Sequence, residues 1–262
     1  MIRALYTAAS GMSAQQMNLD TIANNLANSS TTGFRQVRLQ FQDMVYQNLV
    51  TPGAAQSQQA VSAGLQIGLG TKSAATEIIQ TQGDLRQTNN PLDLAIQGRG
   101  FFQVQRPDGT ILYTRAGNFF LNNQGQIVDP QGNILIPNIT VPPNATAVTI
   151  TQYCEVNATR PGQTNPTQLG QIQLATFVNP GGLESTGSND YLATLSSGNP
   201  VLDNPGGQQG LGTLQQGYLE NSNVDVVGAF VQMVLAQRAY ESDSKVVKAA
   251  DQMYSDVNNM AQ

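Results

Sequence analysis

Apolar and small residues recur at Ile2, Leu5, Ala9, Met12, Leu19, Ala23 and Leu26, with Gln16 the one polar interruption. This is the alternating three-and-four spacing of a coiled-coil seam. It predicts a helix over residues 2 to about 28, stopped by Ser29-Ser30-Thr31-Thr32-Gly33, where Gly33 can take a positive φ and turn the chain. The stripe is narrow and rich in Ala, so it buries less than a Leu stripe would at about 25 cal/mol per Å². A single helix of this length is marginal in water, and a packing partner is expected. The far end of the chain offers one. From Val224 to Ala261, one helical face carries Val231, Leu235, Ala239, Val246, Ala250, Met253, Val257 and Met260, and a second carries Phe230, Val234, Tyr240, Val247 and Tyr254. Two apolar faces predict two sets of neighbours, the N-terminal helix and another subunit. At a rise of 1.5 Å per residue the two helices would run about 40 Å and about 55 Å.

Between the helices the pattern shortens. Gln36 to Val50 opens with strand-like alternation at Val37, Leu39 and Phe41, then spaces Met44, Val45 and Leu49 more like a helix, which leaves both readings open. Residues 51 to 70 are polar and Gly-rich, too long for an idle loop. They are expected to be flexible or held extended by neighbours, with inter-subunit contact the assigned role. After Ser73, short runs alternate with turns. Phe101-Phe102-Gln103-Val104, Ile111-Leu112-Tyr113, Phe119-Phe120-Leu121, Ile127-Val128 and Ile134-Leu135-Ile136 are separated by Pro107-Asp108-Gly109, Asn123-Gln124-Gly125 and Pro130-Gln131-Gly132-Asn133. Such spacing predicts antiparallel hairpins in a sandwich or barrel-like body. Further strands are expected at Ala147 to Ile150, Gly170 to Phe177 and Tyr191 to Leu195, with a turn-rich exposed segment from Gly198 to Gly212. The fold class is therefore α+β: N- and C-terminal α-helices forming an antiparallel coiled-coil-like domain, with a central β-rich domain of antiparallel hairpins. The expected boundaries are 1–30 for the first helix, 31–75 for a connecting and extended segment, 76–220 for the β-rich domain and 221–262 for the closing helix.

Composition changes this picture in one respect. Of 262 residues 40% are hydrophobic, as in a folded protein, but only 11% are charged, against about 25% in an ordinary soluble domain. Gln, Asn, Ser and Thr fill the gap, and a surface so poor in charge is weakly defended against self-association. The net charge of -5 and the absence of a basic cluster argue against nucleic acid. No run of about 18 apolar residues exists, so no membrane insertion is expected. Met1 to Thr7 lacks the apolar core of a cleaved signal peptide. Cys154 is the only cysteine, which excludes an intrachain disulfide.

Candidate chemistry is sparse. The chain has no histidine, which removes Ser-His-Asp and Cys-His sites and the commonest zinc sites. Gly64 to Ser73 lacks the Gly-Lys-Ser/Thr order of a phosphate loop, and Gly98-Arg99-Gly100 lacks the third glycine of a dinucleotide fingerprint. Ser242-Asp243-Ser244-Lys245 fits Ser-x-x-Lys without its partner motifs and lies inside a predicted helix. Asp108 and Asp129 sit in turns for backbone reasons. No enzymatic activity, metal or cofactor is expected.

Three separated blocks carry a resemblance. Ala23-Asn24-Asn25-Leu26-Ala27-Asn28-Ser29-Ser30-Thr31-Thr32-Gly33-Phe34-Arg35 resembles the N-terminal signature of the bacterial flagellar rod and hook protein family. Asn90 to Phe102 with Tyr113 to Phe119 resembles its central block, and Asn223 to Val227 with Gln237 to Glu241 and Ala249 to Met253 its C-terminal block. Within the family, the length, Tyr46 to Gly53 and Gly64 to Gly68 look most like the distal-rod members. Proximal-rod and hook-type axial subunits are the alternatives inside the family. The resemblance implies export by the flagellum's own secretion apparatus without a cleaved signal. It also implies helical assembly with copies of itself into a hollow, torque-transmitting shaft across the periplasm, terminal helices inside and β-rich domain outside. The implied neighbours are proximal rod proteins, the hook protein, the periplasmic and outer-membrane rings that act as a bushing, and the export apparatus. Arg35 stands where Lys is common in the family, a change not expected to alter function, and Gly228-Ala229 replaces commonly acidic residues near the start of the closing helix.

The residues assigned to the assembly seam are Leu5, Met12, Leu19, Leu26, Val231, Leu235, Val246 and Met253. The joint of the family motif is assigned to Asn24, Asn25, Asn28, Thr32, Gly33 and Phe34, whose asparagines would satisfy backbone groups at the helix end or between subunits. The competing class is a monomeric secreted β-domain that binds a glycan.

Overall fold

A computed structural model describes residues 2–50, 55–56, 59–60, 64–163, 165–204 and 210–260. Much of the 51–70 stretch and residues 205–209 of the turn-rich segment therefore lie outside the described residues. The chain divides into two compact units, one of Met1–Ala27, Val37–Glu77 and Asp225–Gln262, the other of Asn28–Gln36 and Ile78–Val224. The first is helical with a β-ribbon; the second is β-rich.

In the first unit, helix α1 covers Ile2–Ala27 and helix α2 covers Val226–Met260. The start of α2 is set by Asp225, whose Oδ1 accepts a hydrogen bond from the Val227 N–H at 3.1 Å. An N-cap of this kind satisfies one of the orphan donors of the first turn. The two helices pack on each other, and most of their buried positions carry small residues. Ala8 and Ala14 with Ile22 and Asn25 are the buried positions of α1, and Ala229, Ala236 and Ala250 those of α2. Gly11 faces Asp243 so closely that a Cβ there would lie 2.7 Å from its Oδ2. Small side chains let two helix backbones approach, so the larger apolar residues are left on other faces.

The residues assigned to the seam differ between the two helices. Leu5, Met12, Leu19 and Leu26 flank the buried face of α1 and are half-buried. Val231, Leu235, Val246 and Met253 face solvent on α2, at 56%, 63%, 48% and 49% exposure.

The segment whose periodicity left strand and helix open is extended. Val37–Asp43 pairs with Thr71–Ile78, and Tyr46–Val50 runs antiparallel to Leu65–Gly68. Phe41, Met44, Val45, Tyr46, Leu49, Leu65 and Ile67 of this ribbon are all exposed.

The β-rich unit has a core on each face of its main sheet. Strand Phe101–Gln105 pairs antiparallel with Ile111–Thr114 on one side and with Ile134–Leu135 and Leu174–Thr176 on the other. Its alternation sends Phe102 and Val104 into a cluster with Leu94, Leu112, Phe119, Ile127, Leu135 and Leu174. Phe101 points the opposite way, to Tyr113, Phe177, Leu183 and Tyr191. Edge-to-face pairs fill both cores, with Phe102 and Phe119 centroids 5.2 Å apart and Tyr113 and Phe177 4.8 Å apart. The predicted turns act as hairpins, closed by Gly109 to Arg106, Gly125 to Asn122 and Gly132 to Asp129 backbone bonds. Asp108 and Asp129 accept from the N–H groups of Thr110 and of Gln131 and Asn133, the backbone role expected of them. Cys154 lies fully buried in the first cluster, and burial pushes its thiol up to about 12.

Candidate functional site

The signature block ends in two different kinds of bond. Within the helical unit, Asn25 is buried and its amide brackets Val37: Nδ2 donates to the Val37 carbonyl at 2.7 Å and Oδ1 accepts from the Val37 N–H at 2.9 Å. One side chain thus replaces a turn of backbone hydrogen bonding and aims the ribbon's first residue. Asn25→Ala leaves both Val37 groups without this partner, and a loss of about 2 kcal/mol is expected, read as faster hydrogen exchange at the Val37 amide. Asn24 is exposed at the helix end.

The rest of the motif belongs to the β-rich unit. Asn28 accepts from Thr31 through both its side chain and its carbonyl, and the Thr32 carbonyl accepts from Asn189 Nδ2 at 2.8 Å. Gly33 has φ +70 and donates to the Glu220 carbonyl at 2.8 Å. A Cβ on it would fall 2.6 Å from the Ala116 nitrogen, so both its conformation and its neighbours require glycine here. Phe34 is half-buried, and its carbonyl accepts from the Asn223 N–H at 3.4 Å.

Beside these lies an ionic cluster that sequence reasoning passed over. Arg35, Arg115 and Glu220 are 1%, 5% and 1% exposed. Glu220 Oε1 lies 2.8 Å from Arg35 Nη2, an ion contact off the line of an aligned hydrogen bond, and its Oε2 lies 3.4 Å from Arg115 Nη1. Oε1 also accepts from the Gly83 N–H at 3.0 Å. Arg35 Nη1 donates to the Thr81 carbonyl, Arg115 Nη2 donates to the Gly98 carbonyl at 2.7 Å, and the Arg115 guanidinium stands 5.4 Å from the Phe101 ring centroid. Desolvation pushes Arg115 down to about 10 against the counter-pull of Glu220, which leaves it charged at neutral pH.

Asn223 completes the stitching. Its Oδ1 accepts from the Gln36 N–H at 2.7 Å, and its Nδ2 donates to the carbonyls of Ile79 and Thr81 at 3.0 and 2.9 Å, while the Ile79 N–H reaches the Gln36 carbonyl at 2.8 Å. Gln36, Ile79, Thr81 and Asn223, at or close to the points where the chain leaves this unit, are therefore bonded into one patch. Arg35 is not the idle variation expected from the sequence: its Nη1 bonds the Thr81 carbonyl while its Nη2 lies against the Glu220 carboxylate, and the single nitrogen of a lysine cannot take both places of the planar fork. The one available signal was scarcity, an arginine placed among Gly, Phe and Val in a chain only 11% charged.

Asn28, Thr31, Thr32, Asp129, Asn189 and Asp190 line a hollow of about 370 Å³. Burial, then the charge of Asp129, pushes the Asp190 carboxyl up to about 6, against the weaker pull of Arg106. A carboxyl raised in the folded state stabilises fully below its ordinary value near 3.8, and that contribution is lost as pH rises through about 6. Urea unfolding free energies are expected to show Asp190→Asn gaining on the parent between pH 4 and pH 7, by on the order of 1 kcal/mol.

Comparison with known proteins assigns the blocks. Residues 5–35 match the family of flagella basal body rod proteins, residues 95–158 the D1 domain of the flagellar hook protein FlgE/F/G family, and residues 215–260 the C-terminal domain of the flagellar basal body rod FlgEFG proteins. The flagellar basal-body rod protein FlgG of Caulobacter vibrioides is 48% identical over 254 residues, which cover 96% of this chain and 97% of that protein. The chain belongs to the flagellar hook and basal-body rod family. FlgG of Bacillus subtilis is 39% identical, with 99% of each protein covered, and the rod protein FlgF of Mesorhizobium japonicum is 30% identical, with 93% of this chain and 91% of that protein covered. The likeness is thus greater to the FlgG kind, and the reading of a structural, distal-rod subunit of the basal body stands. The matched N-terminal block ends at Arg35 and the C-terminal block contains Glu220, so the buried ion pair ties together the two blocks that define the family at its ends. Among the described residues no helix is long and apolar enough to cross a membrane.

Proposed function

We propose that this subunit polymerises helically with copies of itself into the hollow distal rod, and that the large apolar residues of α2 are its inter-subunit face. The observation that supports this is the division of labour on the helices: alanines are spent on the contact within one chain, while Phe230, Val231, Val234, Leu235, Val246, Met253 and Val257 remain exposed. A monomer gains nothing from so large an apolar surface in water. The antiparallel, coiled-coil-like pairing of α1 and α2 would present these side chains along a common line. Proximal rod proteins, the hook protein, the surrounding rings and the export apparatus are the neighbours this role requires, without catalysis. Removal of residues 2–27 tests it. The truncated chain is expected to lose all sedimentable polymer while near-ultraviolet circular dichroism of the β-rich unit is retained. Undiminished assembly by the truncated chain would refute a helical interface.

A further inference from the structure

One carboxylate of the β-rich unit stands without the partners that burial ordinarily demands. Asp190 is 3% exposed and opens strand Asp190–Leu192, where it pairs with Thr114 across the sheet. After burial itself, the strongest influence on its carboxyl is the repulsion of Asp129, which exceeds the attraction of Arg106. The Thr114 hydroxyl helps it least, because its proton goes to the Asn189 carbonyl at 3.0 Å, and among the described residues no other donor reaches it. A buried charge left in this way is costly unless something positive comes to it.

The shortfall opens onto space. Asp190 and Asp129 both line the hollow of about 370 Å³, together with hydroxyl- and amide-bearing residues such as Asn28, Thr31, Thr32 and Gln131, and no Lys or Arg is among the described residues that line it. Such a set offers oxygen donors and neither imidazole nor thiol, which selects hard cations. Asp129 is already fixed in place: its Oδ1 accepts from the N–H groups of Gln131 and Asn133 at 2.9 and 2.8 Å, and its Oδ2 from Asn133 Nδ2 at 2.7 Å. That leaves Oδ2 able to take a further partner. Among the described residues no three acidic, His or Cys side chains come together to cage a bare ion. Two carboxylates suit instead an ion that keeps several of its waters, and at about 30 Å³ per water the hollow has room for them.

We propose that this hollow binds one hydrated divalent cation, magnesium or calcium, through the carboxylates of Asp190 and Asp129. The ion joins three stretches of the β-rich unit, residues 28–32 of the signature block, 129–131 and 188–190. Binding takes place within one chain and is independent of self-assembly. Calorimetric titration of the monomeric full-length chain with magnesium chloride, and separately with calcium chloride, at constant ionic strength tests it. One ion per chain is expected at saturation. Asp190→Asn is expected to weaken binding at least about tenfold, while Asp84→Asn, which removes an exposed carboxylate of the same unit, leaves it unchanged. Binding to the parent is also expected to weaken about tenfold from pH 7 to pH 5, because Asp190, which takes up its proton at about 6, must release it when the ion enters. This second readout needs no variant to fold. A parent that shows no saturable binding of either ion up to about 10 mM, beyond the range of weak calcium sites, overturns the site. So does an Asp190→Asn protein that binds like the parent, or equal weakening by Asp84→Asn, which would mark general attraction to an acidic chain.

Discussion

Glu220→Ala is expected to cost the β-rich unit about 3–5 kcal/mol, because it strands two arginines in a site with almost no water. Arg35 retains the Thr81 carbonyl and Arg115 those of Gly98 and Ile96, but no carbonyl carries a full negative charge. Glu220→Gln preserves shape and the bond to Gly83 yet leaves net charge buried, so most of the loss should remain. Arg35→Lys is expected to fall between these and the parent. At about 2–4 °C per kcal/mol for a unit of this size, thermal unfolding should shift by about 10 °C for Glu220→Ala. The Arg38–Glu77 pair supplies the control: its side chains are 61% and 45% exposed, and breaking it with Arg38→Ala should leave the thermal midpoint almost unchanged. Equal, small effects at both pairs would show that the buried cluster does not organise the patch where Gln36, Ile79 and Asn223 meet.

The second large effect is expected to leave the monomer untouched. Val231→Asp with Leu235→Asp changes two residues that are already 56% and 63% exposed, so the unfolding free energy of the monomer should stay within about 0.5 kcal/mol of the parent. Assembly should fail. Each aliphatic side chain removed from an interface forfeits roughly 1.5–3 kcal/mol, and two together raise the concentration required for assembly by about two to four powers of ten. Ala236→Asp, at the very next residue but on the buried face of α2, makes the opposite pattern the expected one, with loss of helix packing in the monomer itself. Sedimentation and circular dichroism on the same samples separate the two cases.

These expectations rest on features that the sequence revealed unevenly. The helices were legible because periodicity and a stop at Gly33 need no tertiary context, and α1 ends at Ala27. The hairpins were legible because Gly109, Gly125 and Gly132 mark turns whose geometry is local. The face by which α1 meets α2 was not. A stripe of large apolar residues points to where burial would be worth most, whereas the buried positions are mostly alanines, Ala8 and Ala14 on α1 and Ala229, Ala236 and Ala250 on α2, and the larger residues of α2 stay exposed. The strands after Gln36 stayed undecided since their side chains alternate without a buried side to enforce the pattern. Of the motif joint, Gly33 could be read from its turn, but Arg35 and Glu220 are 185 residues apart in sequence and meet only once the β-rich unit has formed.

Electron microscopy of the concentrated, full-length chain tests the central claim most directly. Hollow tubes with regular helical spacing are expected from the parent and none from the Val231→Asp, Leu235→Asp variant. Dispersed monomers from the parent at every concentration, or tubes from both proteins alike, would contradict it.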